Sequence, residues 1–469
     1  MTLDRRVVAA TPLLILACSL IGDAAGTALP SPPPPSLTPS AASATPIVRT
    51  PFVPLAPTTT PVPPAATADS AAWPPPFTFG GAPTPPVAIP PPAAPLTFPE
   101  DTLNVLLLGS DRRSGIGFRT DTIVIVSIQP SVGLVALVSV PRDLYVFLPG
   151  YTVSRINTAW IYGETLGVPG GGPQLLFDTV RYNLGVPIHR YVLVEMEGFR
   201  QIVDLLGGID VRVACDYTDW RLRQPDLPQQ LVSSWALYTV PRGVVHMDGD
   251  FALWYARSRA RSSDFDRARR QQEVLRALYR AGLRPEVLTR LPELYRTAQT
   301  SLRTTASLED ALALTPFATR LEPPRIRSRF IGRDQVQTFR VPVTNAYVLL
   351  PRADAVRALL MEAFAPPPEA ESAPVRVDVV AGSRRDMAEL AQERLLYAGF
   401  DAVIVEGPPS PDGATHLLDD GTAPPEVRAR LEAVLGLSPE PMAARADGAP
   451  FRLLVGEGFD PCFDSTHLP

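Results

Sequence analysis

Between residues 103 and 140 the apolar positions fall into three short, nearly unbroken runs. Leu103–Leu108 is apolar except at Asn104 and stops at Gly109. Thr122–Ile128 and Leu134–Val140 follow, with Gln129-Pro130-Ser131-Val132-Gly133 between them. Runs this short without polar alternation predict strands covered on both faces. The Pro- and Gly-containing break predicts that the second and third form a hairpin. Further along the apolar period lengthens. Asn157–Gly163, Gly172–Leu184 and Gly198–Leu206 predict helices, the last stopped by Gly207-Gly208. Tyr191–Val194 and Ile209–Val213 predict short strands between them. Two more helices are expected over Asp248–Ala256 and Asp266–Leu283, the second basic in its first half and apolar along one face. Helical pattern continues to about residue 320. Strands near Arg325–Phe330 and Gln337–Val341 and a helix over Arg352–Phe364 complete the series. Strands and helices mix without strict alternation, which predicts an α/β fold: a three-layer α/β/α domain around a mixed sheet.

A break at Pro366-Pro367-Pro368 separates a second, small C-terminal α/β domain. Strands are expected at Val375–Val380, Ala402–Val405, Thr415–Leu418 and Phe451–Val455, with helices at Arg385–Ala398 and Pro425–Leu435. No constellation of acids, His or Cys there suggests a site, so it reads as a binding or stabilising module dispensable for chemistry. At the other end, Arg5 and Arg6 precede an apolar run from Val7 to Gly22 and then small residues, the pattern of an export signal. The run is shorter than the roughly 20 residues of a usual spanning helix. Ile15-Leu16-Ala17-Cys18 resembles a lipobox, so both a retained anchor and a lipidated Cys18 stay open. Pro, Ala, Thr and Ser dominate 30–99, which predicts an extended, disordered spacer. The expected organisation is a signal or anchor at 1–29, a linker at 30–99, the main domain at 100–365, a linker at 366–374 and the small domain at 375–469.

Composition narrows the chemistry. The 469-residue chain carries a net charge of −5, so it is not a nucleic-acid binder by charge. All 43 of its basic residues are arginine. Without lysine there is no P-loop lysine and no Schiff base. No CxxC or HExxH spacing points to zinc. Cys215 and Cys462 would pair in an exported protein or stay as inert thiols.

Arginine and aspartate concentrate in three places: GSDRRSGIGFRTDT at 109–122, PRD at 141–143 and YARSRARSSDFDRARRQQ at 255–272. Guanidinium forks donate paired hydrogen bonds to phosphate, and carboxylates beside them can hold Mg²⁺. Asp111 ends one expected strand and Asp121 opens the next. If the two strands are antiparallel neighbours, both carboxylates fall at one sheet edge. Arg142 follows another strand end. Arg257 and Arg259 share a face if their segment is extended, and Arg267 and Gln271 share a helix face. Arg261, Arg269 and Arg270 read as solvated surface. Leu175, Leu176, Phe177, Val180, Leu184, Phe199, Ile202, Leu205 and Leu206 are enough to line an apolar tunnel, although for most of them core packing is the better reading.

LNVLLLGSD, FRTDTIVIVSI, LVSVPRDLYV, SRINTAWIYGE, VEMEGFRQIVDLLGGIDV, MDGDFALWYARSR and SDFDRARRQQEVL occur in this order between 103 and 275. In this the chain resembles the LytR-CpsA-Psr family, and 375–457 looks like the C-terminal domain often fused to it. The resemblance implies transfer of a glycopolymer from a polyprenyl-pyrophosphate carrier to peptidoglycan through a phosphodiester. It implies an enzyme on the outer face of the cell membrane, anchored at its N-terminus, with the lipid tail in an apolar tunnel. By motif position Asp111 and Asp121 correspond to the residues associated with Mg²⁺ (or Mn²⁺). Arg119, Arg142, Arg257, Arg259, Arg267 and Gln271 correspond to the pyrophosphate contacts. Asp111, Asp121, Arg142, Arg257 and Arg259 are the expected catalytic set. Asp143 and Arg155 lie in matched motifs. Asp266 stands where the family has glycine, which would add negative charge near the site. A pyrophosphatase releasing polyprenyl phosphate to water, or a non-enzymatic envelope regulator or wall-binding protein, are the competing readings.

Overall fold

In the computed structural model the described residues are 83–110, 120–224, 227–282, 284–288, 302–318, 320–342, 344–366, 374–444 and 449–462. The three apolar runs become β1 (Leu103–Ser110), β2 (Thr120–Gln129) and β3 (Leu134–Ser139). The strands that follow are β4 (Tyr145–Leu148), β5 (Thr152–Arg155), β6 (Arg190–Glu195), β7 (Ile209–Val213), β8 (Tyr217–Leu222), β9 (Trp235–Val240), β10 (Gly243–Met247), β11 (Leu302–Thr304), β12 (Ile326–Phe330), β13 (Val336–Arg340) and β14 (Tyr347–Pro351). The helices of this domain are α1 (Ala159–Thr165), α2 (Gly171–Leu184), α3 (Met196–Leu205), α4 (Gly249–Arg257), α5 (Asp264–Gly282), α6 (Pro285–Leu288), α7 (Leu308–Ala318) and α8 (Ala353–Phe364).

The central sheet has the order β11-β6-β1-β2-β3-β12. β1 is antiparallel to β2 and β2 to β3, while β6 and β12 run parallel to β1 and β3. It is the mixed sheet expected from the sequence. Its strands are apolar throughout because both faces are covered. Leu106, Leu108, Ile125 and Val138 pack with Trp160 of α1, Leu176 of α2 and Leu360 of α8. On the other face Val105, Leu107, Val124 and Val192 meet Leu275 of α5. Closure is incomplete on that second face. Between the sheet and α3, α4 and α5 lies an apolar cavity of about 290 Å³.

Several elements differ from expectation. The ribbons β4–β5 and β8–β9 have no clean apolar alternation, because their covered faces include polar groups. In β8, Asp219 is buried while Trp220 is exposed. β11 falls in a stretch that reads as helix but pairs antiparallel with β6. The proline-rich segment also ends earlier than 99. Ala93 N–H donates to the Tyr182 carbonyl at 2.7 Å and Leu96 N–H to that of Gly185 at 2.9 Å. Leu96 and Phe98 pack on the core, so these residues belong to the domain. The signal at 1–29, with Cys18, lies outside the described residues.

The C-terminal domain forms a second sheet, with the order β16-β15-β19-β17-β18. Its strands are β15 (Arg376–Val380), β16 (Asp401–Val405), β17 (His416–Asp419), β18 (Glu440–Pro441) and β19 (Phe451–Leu454), packed with α9 (Arg385–Tyr397) and α10 (Pro425–Leu435). It is fastened to the main domain. Cys215 and Cys462 form a disulfide. Glu393 of α9 is buried against three arginines of the main domain: Arg212 at 3.0 Å, Arg280 at 2.8 Å and Arg276 at 3.6 Å. The Arg276 guanidinium also lies 3.6 Å from the ring centre of Tyr397.

Candidate active site at the mouth of an apolar cavity

The cavity opens where β1 and β2 end. Gly109 pairs with Thr122 and Ser110 with Thr120, so the register skips Asp121. Asp121 is therefore the extra residue of a β-bulge, which releases its side chain from strand alternation. Gly109 fits closely here: a Cβ would lie 3.0 Å from both Cβ and Oγ1 of Thr122, so that side chain would have to shift by a few tenths of an ångström. That hydroxyl is used: Gln271 Nε2 of α5 donates to Thr122 Oγ1 at 2.9 Å. The helix and the strand end are thus locked in register across the cavity mouth.

Around this point the expected residues converge. Arg142 Nη1 donates to Asp121 Oδ1 at 2.6 Å. Burial alone would lower the pKa of Arg142, but the hydrogen bond and charge of Asp121 raise it. Asp143 lies 3.5 Å from Arg142 Nε and 2.8 Å from Arg155 Nε. Burial nevertheless raises the pKa of Asp143 against the pull of both arginines. Arg267 is buried, reaching Asp264 at 3.1 Å and the Asp121 carbonyl at 3.5 Å. Its burial lowers its pKa, opposed by Asp264. A guanidinium stays protonated through such a shift. Arg259 is about half exposed and lies 3.7 Å from Asp264. Arg257 lines the cavity mouth beside Asp121 and Gln271. Among the described residues five guanidiniums thus face four carboxylates, Asp121, Asp143, Asp264 and the cavity-lining Glu195, which leaves a net positive charge. Asp111 and Arg119 lie outside the described residues.

Asp264 was not among the residues singled out in the sequence, yet two arginines converge on it. Asp266 is held at the start of its own helix. Its Oδ2 accepts from Ser263 N and Oγ at 3.0 and 2.6 Å, while Ser263 Oγ accepts from Asp266 N. This is a capping box that starts α5.

Two of the three arginines assigned to the surface are not there. Arg261 is exposed, but Arg269 and Arg270 are buried. Arg269 pairs with buried Glu273 at 2.6 Å, and Glu273 also accepts from Tyr255 Oη. Arg270 is fully buried under the 258–262 loop and donates from Nη2 to the Ser258 carbonyl at 2.6 Å and to Ser262 Oγ at 3.0 Å. Its guanidinium is 3.7 Å from the centre of the Tyr217 ring. Asp219 holds the same loop, accepting from Ala260 N at 2.9 Å. Charge alone could not separate these arginines from their exposed neighbours, because the covering hairpin β8–β9 is distant in sequence. Arg270→Ala is therefore expected to cost about 3 kcal/mol in urea denaturation, the scale of buried charged hydrogen bonds and a desolvated cation–π contact. A loss under about 0.5 kcal/mol, the size of an ordinary surface change, would show that Arg270 does not support the loop.

The cavity behind the mouth is apolar. Phe199, Ile202 and Leu206 on the α3 side line it, together with Leu107, Val126 and Leu137 of the sheet and Val274 and Leu278 of α5. Leu175, Leu176, Val180 and Leu184 instead fill the core on the opposite face, with Phe177 packed against it. Among the described residues no group of three or more His, Cys, Asp or Glu is arranged to hold a metal ion.

The LytR_cpsA_psr family profile matches residues 93–359, more than half of the chain. Over 180 residues the chain is 36% identical to an Oceanobacillus iheyensis protein named polyisoprenyl-teichoic acid–peptidoglycan teichoic acid transferase TagU, covering 38% of this chain and 51% of that protein. It is 28% identical over 214 residues to the Bacillus subtilis protein of the same name, covering 45% and 62%. The chain thus spans between about half and three-fifths of the length of these relatives. The crystal structure of B. subtilis TagV is similar with a TM-score of 0.45 at 25% identity, covering 58% of this chain and 100% of that one. With the ordered motifs and the converged site, the match over 93–359 places this chain in the LytR_cpsA_psr family.

Proposed function

We propose that this protein transfers a glycopolymer from a polyprenyl-pyrophosphate carrier to peptidoglycan, forming a phosphodiester. The observation that carries the reading is the junction of two environments: an arginine cluster with excess positive charge at the mouth of an apolar cavity. An amphiphile with an anionic head and a hydrocarbon tail satisfies both, and the names of the relatives support that substrate class. Arg142, Arg257, Arg259, Arg267 and Gln271 would hold the pyrophosphate, with Arg119 added from its motif. The acceptor hydroxyl oxygen bonds to the phosphorus that carries the sugar, and its proton passes to a site carboxylate. The bond from that phosphorus to the bridging oxygen breaks, and polyprenyl phosphate leaves with the electron pair. The fixed guanidiniums stabilise the charge that collects on the leaving phosphate.

The donor set suits Mg²⁺ or Mn²⁺. Asp121 is partly exposed at the mouth, and the Ser110 hydroxyl is buried in the cavity wall without a hydrogen-bond partner among the described residues. Asp111 follows Ser110 in the chain. Such ions take one or two carboxylates and complete their shell with water and substrate phosphate. A bound ion would supply neutralisation of pyrophosphate charge. Asp121→Asn tests this reading: cleavage of a labelled lipid pyrophosphate is expected to fall at least a hundredfold in a variant of unchanged melting temperature. Unchanged cleavage, or wild-type cleavage insensitive to chelation, contradicts the metal role.

We place the protein on the extracytoplasmic face of the cell membrane, anchored at its N-terminus. The Cys215–Cys462 disulfide supports an oxidising compartment, and the Arg5-Arg6 and Val7–Gly22 pattern supports export.

A further inference from the structure

The cavity has an inner end, and its wall there is backed by the other domain. At the mouth are Gly109, Thr122 and Gln271; deeper in are Val135 and Ile326 of the sheet, with Arg276, Tyr279 and Gly282 of α5. Val135 pairs with both Ile326 and Ile128, six residues along β2 from Thr122, so along the sheet the lining extends roughly 20 Å at strand spacing. Arg276 is an unusual wall for a hydrocarbon cavity. Its guanidinium is turned away from the apolar side chains by four contacts: Ser328 Oγ at 2.8 Å, the Ile326 carbonyl at 3.5 Å, Glu393 at 3.6 Å and the face of Tyr397, 3.6 Å from the ring centre. Glu393 and Tyr397 both belong to α9 of the C-terminal domain and are buried. They lie one helical turn apart, so a single face of α9 meets Arg276.

We infer that the C-terminal domain sets the depth of the cavity, and with it the length of lipid tail accepted, through the stack of Tyr397 on Arg276. This rests on the reading of the cavity as the site of a polyprenyl tail. Tyr397 fixes the plane of the guanidinium, and Glu393 fixes its charge outside the cavity. Held in this way, Arg276 presents its aliphatic stem to the tail and its head closes the end. Loss of the aromatic face opens space behind Arg276 and frees the head to swing toward α9. The residue acts on specificity, not on the chemistry at the mouth, which is carried by Arg142, Arg257, Arg259 and Arg267.

The test is a binding series on the full chain, using polyprenyl pyrophosphates of increasing chain length. In the wild type, affinity is expected to rise with each added isoprene unit until the inner end is reached, and then to level off. In Tyr397→Ala the rise is expected to continue to longer chains, raising the long-to-short affinity ratio about tenfold. Tyr397→Phe keeps the stacking face and is expected to behave as wild type. Tyr397→Leu gives the same reading as Tyr397→Ala if the alanine variant does not fold. A folded Tyr397→Ala or Tyr397→Leu protein with the wild-type length profile overturns the inference while leaving the tail site intact. Failure of every chain length to bind the wild type overturns both the inference and the function on which it rests.

Discussion

Arg267→Ala is expected to lower turnover of a lipid-linked glycopolymer by a hundredfold or more while the protein still folds. Arg267 sits where the elements of the mouth meet. It grows from the first turns of α5, pairs with Asp264 at 3.1 Å and reaches the carbonyl of the bulge residue Asp121. Its Nε is buried and has no hydrogen-bond partner among the described residues. Burying a charge with a donor left over is costly, and a phosphate oxygen at the mouth would supply what is missing. Removing one preorganised donor to developing charge typically costs a hundred- to a thousandfold in rate. Arg267→Lys keeps the charge but not the planar fork, so it should recover only part of the loss. Arg259, about half exposed and 3.7 Å from its carboxylate, should show a smaller effect, of about tenfold. If Arg259→Ala proved the more damaging change, the pyrophosphate would lie outside the loop and not at the end of the cavity.

Glu393→Gln is expected to be the most destabilising single change in the interface between domains. Glu393 is fully surrounded and faces Arg212, Arg276 and Arg280, with Tyr397 beside them. Burial pushes its pKa up, but the three guanidiniums overcome this and hold it at about 2, below the ordinary 4.5. Burial also pulls Arg280 down, and Glu393 opposes that shift. At about 1.4 kcal/mol per unit, this ionised carboxylate stabilises the fold by about 3 kcal/mol. The direction follows from the depressed value. The contribution is complete above about pH 4.5, where the group is ionised whether folded or unfolded. It fades as the pH falls toward about 2, because the unfolded chain takes up the proton first. The amide variant leaves three partly buried guanidiniums around a neutral group, with Glu389 still beside Arg212, so a loss of about 3 kcal/mol is expected. The acid limb of a denaturation profile should also flatten. Wild-type stability and an unchanged acid limb in Glu393→Gln would mean that the arginines are satisfied without this carboxylate.

These contacts show that the C-terminal domain is built onto the main domain. Its sequence shows no site of its own, and a proline-rich break precedes it. Taken alone, both facts suggest a dispensable module. What they do not reveal is that α9 carries a buried acid for three arginines located some 110 to 180 residues earlier in the chain. Pairing of that kind is non-local and leaves no periodic trace. The central sheet was legible for the opposite reason. Burial on both faces makes β1, β2 and β3 continuous apolar runs, and the turn at Pro130–Gly133 makes two of them neighbours. The site was legible in its residue types and partly in its spacing: Gln271 one turn beyond Arg267 does face the strand ends. Arg269 and Arg270 were misread because their covers, Glu273 with Tyr255 and the β8–β9 hairpin, are supplied by tertiary packing. The bulge that frees Asp121 was hidden as well, since a one-residue slip in register has no mark in composition.

The account is tested most directly by following a lipid-linked glycopolymer, labelled in both polymer and lipid, with and without peptidoglycan in the presence of Mg²⁺. The predicted result is polymer joined to peptidoglycan through an acid-labile phosphodiester, with polyprenyl phosphate released in equal amount and only when acceptor is present. Release of polyprenyl phosphate at the same rate without acceptor, with the polymer left free, would contradict the proposed transfer and identify the protein as a pyrophosphatase.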